Sequence, residues 1–228
     1  MKNTTKLKIR MVMIDLDGTL INTAPDLALA ANLMLEELGM NQHPLDKIES
    51  WIGNGVATLV KRALTGEYDG EPDPGLFDKG YALFLKHYGE HVSDESKPYP
   101  GVVEGLDKLK ETGFRLACIT NKAEAFTVPL LKDLDLYDYF ELVISGDSLP
   151  KKKPDPLPLL HACKHFGITP DHGLLVGDSD NDTQAAHNAN MPVIIVPYGY
   201  NKGMDVSTLG AVAVIDSLAQ LDQHIELF

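Results

Sequence analysis

At 228 residues, 44% of them hydrophobic and 23% charged, the chain has enough material for one full α/β core plus a smaller appended module, and its composition shows no sign of extensive disorder. Its formal net charge of −13 speaks against nucleic acid as a partner, because phosphate backbones are gripped chiefly by Lys and Arg. A small anionic substrate stays open, since a few cations or a bound metal reverse the field inside one cleft.

The stretch Met1 to Arg10 is polar and basic, without the apolar run of a signal peptide, and no later stretch reaches the length of a membrane span. A cytoplasmic protein with no membrane partner is expected. The first buried strand is Met11-Val12-Met13-Ile14. From about Ile21 to about Pro98 the pattern is helical, with Leu27, Ala31, Leu35 and Leu38 along one face and no convincing strand. Asn22-Thr23-Ala24-Pro25 reads as a helix start, Gly70 to Gly75 as a short acidic loop, and Ser96 to Gly101 as a Pro/Gly-punctuated linker. Residues 22–97 are therefore expected to be an inserted helical module with hinges at its ends.

Beyond the linker, Val102, Val103, Leu106 and Leu109 set a helix that stops at Gly113, followed by strands at Leu116–Ile119 and Leu142–Ile144. Leu157, Leu160, Cys163 and Phe166 give a second helix stopping at Gly167, and strands recur at Leu174–Val176, Val193–Val196 and Val212–Ile215. Strand and helix taking turns predict an α/β fold, a doubly wound parallel sheet with helices on both faces, assembled from residues 1–21 and 98–228. Cys118 and Cys163 have neither the count nor the spacing of a disulfide framework or zinc site, and read as buried free thiols. The pairs His87/His91 and His161/His165 lack a third ligand and read as surface or helix-end residues.

In open parallel sheets ligands bind beyond the carboxyl ends of the strands. Four polar blocks meet that condition: Asp15-Leu16-Asp17-Gly18-Thr19, Thr120-Asn121-Lys122, Lys153-Pro154-Asp155-Pro156 and Gly177-Asp178-Ser179-Asp180-Asn181-Asp182. Asp15 and Asp17, at i and i+2, reach one site if the chain bends at Gly18. A turn or helix cap would explain one of these carboxylates but not the further pair after another strand. Thr120-Asn121, taken alone, also fits a helix N-cap. Of the three consecutive lysines Lys151, Lys152 and Lys153, the last directly precedes Pro154, which biases it toward an extended backbone; the others read as a solvated loop.

In these blocks, taken in this order, the chain resembles the haloacid dehalogenase superfamily, whose phosphatases carry a DxDGT block, a Ser/Thr, a Lys and a GDxxxD block. Two unit charges about 4 Å apart interact by roughly 4 kcal/mol at an effective dielectric near 20, so Asp15, Asp17 and Asp178 beside an anionic substrate require a cation. All-oxygen ligation favours a hard ion, and Mg²⁺ commonly bridges carboxylates and phosphate while keeping several waters. The resemblance implies the Asp15 and Asp178 carboxylates and the Asp17 carbonyl as metal ligands, with Asp182 supporting the metal's waters. It further implies Asp15 as nucleophile, Asp17 as acid and base, Thr120 with the Asn121 N–H on the phosphoryl oxygens, and Lys153 neutralising Asp15 and phosphate. The acid at Asp17 favours the phosphatase branch, since the dehalogenase branch needs no leaving-group proton.

A helical insertion between the first two blocks is, in this superfamily, a cap that closes over the site and chooses the substrate. Thr23-Ala24-Pro25-Asp26-Leu27, Ile52-Gly53-Asn54-Gly55 with Leu59-Val60 and Arg62-Ala63-Leu64, Thr120-Asn121-Lys122 and Gly199-Tyr200-Asn201 resemble the bacterial phosphoglycolate phosphatases. That resemblance implies a small phosphorylated metabolite, 2-phosphoglycolate, as substrate. A phosphatase or phosphomutase acting on sugar phosphates is the alternative, and a catalytically idle binding protein a third reading that the intact acid set opposes. Gly53 and Asn54 are expected to touch substrate, although Asn54 also fits as the start of the helix Val56 to Leu64. Asn22 stands where many relatives have Asp, and Ile14 where many have Phe; neither touches the chemistry.

Overall fold

The computed structural model describes residues 6–201 and 203–228, so the first five residues of the polar N-terminal stretch lie outside it. The chain begins with β1 (Leu7–Ile9) and the fully buried β2 (Met11–Ile14), then β3 (Ile21–Asn22). Four helices follow: α1 (Ala24–Glu37), α2 (Leu45–Glu49), α3 (Val56–Thr65) and α4 (Pro74–Glu90). After β4 (Lys97–Pro98) the order is α5 (Val102–Thr112), β5 (Arg115–Ile119), α6 (Glu124–Asp133), β6 (Leu142–Ile144), α7 (Leu157–Phe166), β7 (Gly173–Gly177), α8 (Asp180–Asn188) and β8 (Val193–Ile195). β9 (Ala213–Val214) and β10 (Ile225–Leu227) complete the chain.

Six strands form one parallel sheet in the order β6-β5-β2-β7-β8-β9. Side chains of a strand alternate between faces, and here both faces are covered. Met11 and Met13 pack with Leu159 and Ala162 of α7 and Ala185 and Ala186 of α8. Val12 and Ile14 join the opposite cluster with Val102 and Leu106 of α5 and Leu130 and Leu131 of α6. Double coverage is why these strands read as unbroken apolar runs. Cys118 and Cys163 are free and buried, one on each side of the sheet.

The two helices expected to stop at glycine do so, with Gly113 at φ 94° and Gly167 at φ 65° as left-handed terminators. Pro25 sits in the first turn of α1, and Leu27, Ala31 and Leu35 of that helix are buried while Leu38 is only half-buried. Part of the acidic Pro/Gly loop belongs to α4, because Asp73 caps that helix by accepting from Gly75 N and Leu76 N at 2.9 and 3.2 Å.

The expectation of no strand between Ile21 and Pro98 is corrected. β3 and β4 pair antiparallel, Ile21 with Pro98 and Asn22 with Lys97, where the chain leaves the sheet and returns. Each arm is too short to carry a periodic signal, and the partners are distant in sequence. For the same reason the parallel pair β1–β10, Leu7 with Ile225, is invisible in the sequence. The last sheet strand is also shorter than the apolar run Val212–Ile215, being an edge whose Val214 is exposed. Among the described residues, no helix is long and apolar enough to cross a membrane.

Candidate active site

β2 lies between β5 and β7, so the loops leaving these strands diverge from a switch point in the sheet. Asp15 follows β2 directly, its N–H still laddered to Val176 O of β7 at 2.9 Å. Thr120 follows β5 with its N–H on Ile144 O at 2.9 Å. Asp178 follows β7, and Asp182 lies in the first turn of α8. Lys153 comes from the loop after β6, through a cis peptide bond to Pro154. It is buried, whereas Lys151 and Lys152 are exposed.

Lys153 Nζ lies 2.8 Å from Asp15 Oδ1 and 2.7 Å from Asp182 Oδ1. Asp182 Oδ2 accepts from Ser179 N at 3.1 Å, Ser179 Oγ at 2.7 Å and Asp178 N at 3.3 Å. Both Asp182 oxygens are therefore engaged with protein: the residue caps α8 and holds Lys153, a larger task than the water support read from the sequence. Asp178 Oδ1 accepts from Thr19 Oγ1 at 3.3 Å, and its Oδ2 accepts from Tyr200 N. A Cβ added to Gly18 (φ 85°) or Gly199 would stand 2.3 Å from Asp178 Oδ2, so glycine at both positions is what admits this carboxylate.

Asp15, Asp178 and Asp182 each offer a carboxylate oxygen, all within 4.8 Å of one another, and form the one such acidic group among the described residues. Burial pushes the Asp15 carboxyl up to about 7, against the opposing pull of Lys153, with Asp182 adding to the rise. Asp178 is raised well above the usual carboxylate range by burial, then by Asp182 and Asp15. Three acids and one lysine leave this buried cluster short of positive charge. A hard cation on all-oxygen donors fits it.

Asp17 is turned elsewhere. Its Oδ1 accepts from Thr23 Oγ1 at 2.8 Å and from Lys122 Nζ at 3.0 Å. Burial opposes the charge on Lys122, but Asp17 and Tyr88 outweigh it and its pKa is raised. The sequence placed Lys122 in a block after a buried strand without giving it a task. Its burial beside Asp17 is set by α4, which the local pattern does not reveal.

These groups line one wall of a cavity, and Leu27, Ile52, Gly53, Gly55, Val56 and Leu59 from the helical insert line the other. Asn181 Nδ2 donates to Gly53 O at 3.1 Å, joining α8 to that wall. Asn121 lines the cavity, its Nδ2 donating to Lys153 O at 2.9 Å. Thr120 and Asn121 do not cap α6, which starts after Ala123; Thr120 Oγ1 instead accepts from Lys122 N at 3.1 Å. Asn54 is absent from the cavity wall and does not cap α3 either, since Gly55 holds that position. Its Oδ1 accepts from Arg62 Nη1 at 3.3 Å inside the insert, beside Gly53 and Gly55 of the cavity wall. His87 lies in the last turn of α4, one of the two readings the sequence offered, but is buried there with Nε2 2.9 Å from Glu37, while His91 caps the same helix and pairs with Asp94.

Residues 12–196 match the family model described as haloacid dehalogenase-like hydrolase. The chain belongs to that family. Haloacid dehalogenase-like relatives include the phosphoglycolate phosphatase of Thiobacillus denitrificans, 63% identical over 94% of both chains. That of Nitrosospira multiformis is 57% identical over 96% of this chain and 97% of its own. Among solved structures, one described as a predicted phosphoglycolate phosphatase from Haemophilus somnus superposes with a TM-score of 0.89 at 35% identity, covering 94% of this chain and 97% of the other. The haloacid dehalogenase-like fold accounts for the parallel core and for the position of the acidic cluster at its carboxyl edge.

Proposed function

We propose that this chain is a cytoplasmic, Mg²⁺-dependent phosphatase that hydrolyses 2-phosphoglycolate to glycolate and phosphate through a phosphoaspartate at Asp15. The observation that carries this reading is the convergence of Asp15, Lys153, Asp178 and Asp182 around one buried point facing a cavity, with Asp17 on the same wall. The Asp15 and Asp178 carboxylates and the Asp17 carbonyl would hold the ion, which when bound would offset the carboxylate charge and draw charge from phosphate. Asp15 must be ionised to attack, and its elevated pKa in the bare protein is the physical reason a cation belongs there.

Asp15 attacks phosphorus as the bond from phosphorus to the glycolate oxygen breaks, and Asp17 delivers a proton to that oxygen. In the second half Asp17 takes a proton from water as water displaces Asp15. Asp17 thus returns to its starting state. Lys153 steadies charge on Asp15 and phosphate, and Thr120 and the Asn121 N–H hold phosphoryl oxygens. Residues 22–97 act as a cap whose seating over the core excludes water.

The names of the relatives favour phosphoglycolate. Phosphate release measured with Mg²⁺ across phosphoglycolate, sugar phosphates and nucleotides, with Asp15→Asn as the blank, tests the proposal. Phosphoglycolate is expected to give the highest kcat/KM and the variant no turnover. A wide preference for a sugar phosphate would overturn the substrate, and undiminished turnover by Asp15→Asn would overturn the chemistry.

A further inference from the structure

Lys122 is a second buried lysine of the cavity wall, with its side chain 2% exposed, and nothing in the reaction as proposed uses it. Its position is fixed along its whole length. Its N–H donates to Thr120 Oγ1, and its carbonyl accepts from Gly146 N at 2.7 Å and Thr127 Oγ1 at 3.2 Å. Its ammonium donates to Asp17 Oδ1 and to the hydroxyl of Tyr88, and sits 4.6 Å from the centre of the Tyr88 ring. Tyr88 belongs to α4 of the insert, is fully buried, and is held by Phe84 and Phe126 with ring centres 5.6 and 4.9 Å away.

Burying an ammonium is unfavourable unless it is paired and hydrogen-bonded. Here the partners come from both parts of the molecule: the carboxylate of Asp17 from the core and the phenol of Tyr88 from the insert. Thr23 Oγ1 adds a second donor to the same Asp17 oxygen. Two donors fix Oδ1, and Oδ2 accepts a hydrogen bond from no described residue. The carboxylate is thereby held with one oxygen anchored and the other available.

We propose that Lys122, completed by Tyr88, is a positioning residue for Asp17. It anchors Oδ1 so that Oδ2 is the atom that passes a proton to the leaving oxygen and later takes one from water. The inference rests on the reading of Asp17 as acid and base given above. Because Tyr88 is carried by α4, the anchor is complete only while the insert is seated on the core, which ties proton transfer to a closed site. No proton is gained or lost overall by Asp17 across the two half-reactions, and Lys122 exchanges none.

The test is a leaving-group comparison with the whole chain and Mg²⁺. Leaving groups of high basicity, such as the oxygen of phosphoglycolate or of the best alkyl phosphate found, need an acid; 4-nitrophenolate leaves without one. Asp17→Asn supplies the reference pattern. Lys122→Met is expected to lower the single-turnover rate of leaving-group release from the alkyl phosphate, the step that precedes the shared hydrolysis of the phosphoenzyme, by about 10²-fold, the scale of a misplaced catalytic group, with a much smaller loss on 4-nitrophenyl phosphate and KM nearly unchanged on both. Tyr88→Phe removes a single oxygen and is expected to give the same selectivity, more weakly, which keeps the comparison available if Lys122→Met folds poorly. Equal losses on both substrates would make Lys122 merely structural, and a raised KM with kcat intact would make it a substrate contact; either overturns the proposal. If Asp17→Asn itself fails to discriminate between leaving groups, the acid–base reading of Asp17 falls first and this inference with it.

Discussion

Replacing Lys153 by Met removes the one ammonium that, among the described residues, touches the acidic cluster, and keeps most of the side chain's length. Lys153 Nζ is 2.8 Å from Asp15 and 2.7 Å from Asp182, contacts that each carry about 6 kcal/mol of gross attraction at an effective dielectric near 20. Desolvation consumes part of this, and breaking a buried pair from one side costs about 3–5 kcal/mol. For a chain of this size that is a fall of roughly 6–20 °C in Tm. Asp182→Asn loses the same 2.7 Å contact but behaves differently. It also removes a like charge within 4.8 Å of oxygens on Asp15 and Asp178, a relief of at least about 3 kcal/mol from each at the same dielectric. Attraction lost and repulsion relieved nearly cancel, leaving about 1 kcal/mol for weakened hydrogen bonds.

The sign of the pH dependence follows from the same charges. Lys153 lowers the pKa of both Asp15 and Asp178, so its loss raises them further above the value they have in the unfolded chain. The folded variant then holds more protons than the unfolded one, and its stability falls as pH rises from the ordinary value of 3.8 through about 7 and beyond. Thermal melts in EDTA should show the Lys153→Met deficit growing from pH 5 to pH 8, as Asp15 and Asp178 ionise without their counter-charge, with Asp182→Asn the nearer to the parent at pH 8, where the relieved repulsion operates. Equal losses in the two variants, or a Lys153→Met deficit that is the same at both pH values, would refute this account of the cluster.

Two further outcomes follow from the geometry. Mg²⁺ should raise Tm more at pH 8 than at pH 5, because the cluster holds protons that an ion must displace at the lower pH; paired melts with and without 10-fold steps in Mg²⁺ check this, and a larger shift at pH 5 would contradict it. Gly199→Ala places a Cβ 2.3 Å from Asp178 Oδ2 and should weaken Mg²⁺ binding by about 10-fold or more, measured by calorimetric titration, while overpacking costs about 1–3 kcal/mol of stability.

What the sequence made legible was whatever a local pattern can encode. Met11–Ile14 declares a buried strand by composition, Gly113 and Gly167 end their helices by backbone freedom, and acidic residues placed just past buried strands mark the ligand edge of a parallel sheet. Lys153 could be chosen over its two neighbours because of Pro154. The residues that escaped notice are those whose meaning depends on a partner far along the chain. β3 and β4 are two residues each and exist only because the insert leaves and re-enters at one place.

Lys122 is the clearest instance of that dependence. In sequence it is one more lysine after a Thr-Asn pair; in the structure its single ammonium touches both the core's Asp17 and the insert's Tyr88. A charge so placed does little for stability that a well-packed apolar side chain would not do as well. On the proposed reading its buried position is accounted for by orientation: an acid that serves two oxygens in succession needs its carboxylate held at a fixed angle, and a rigid donor behind it supplies that. The division of labour proposed for the cavity's two buried lysines then has Lys153 balancing the charge of the acidic cluster and Lys122 aiming the acid that would move protons.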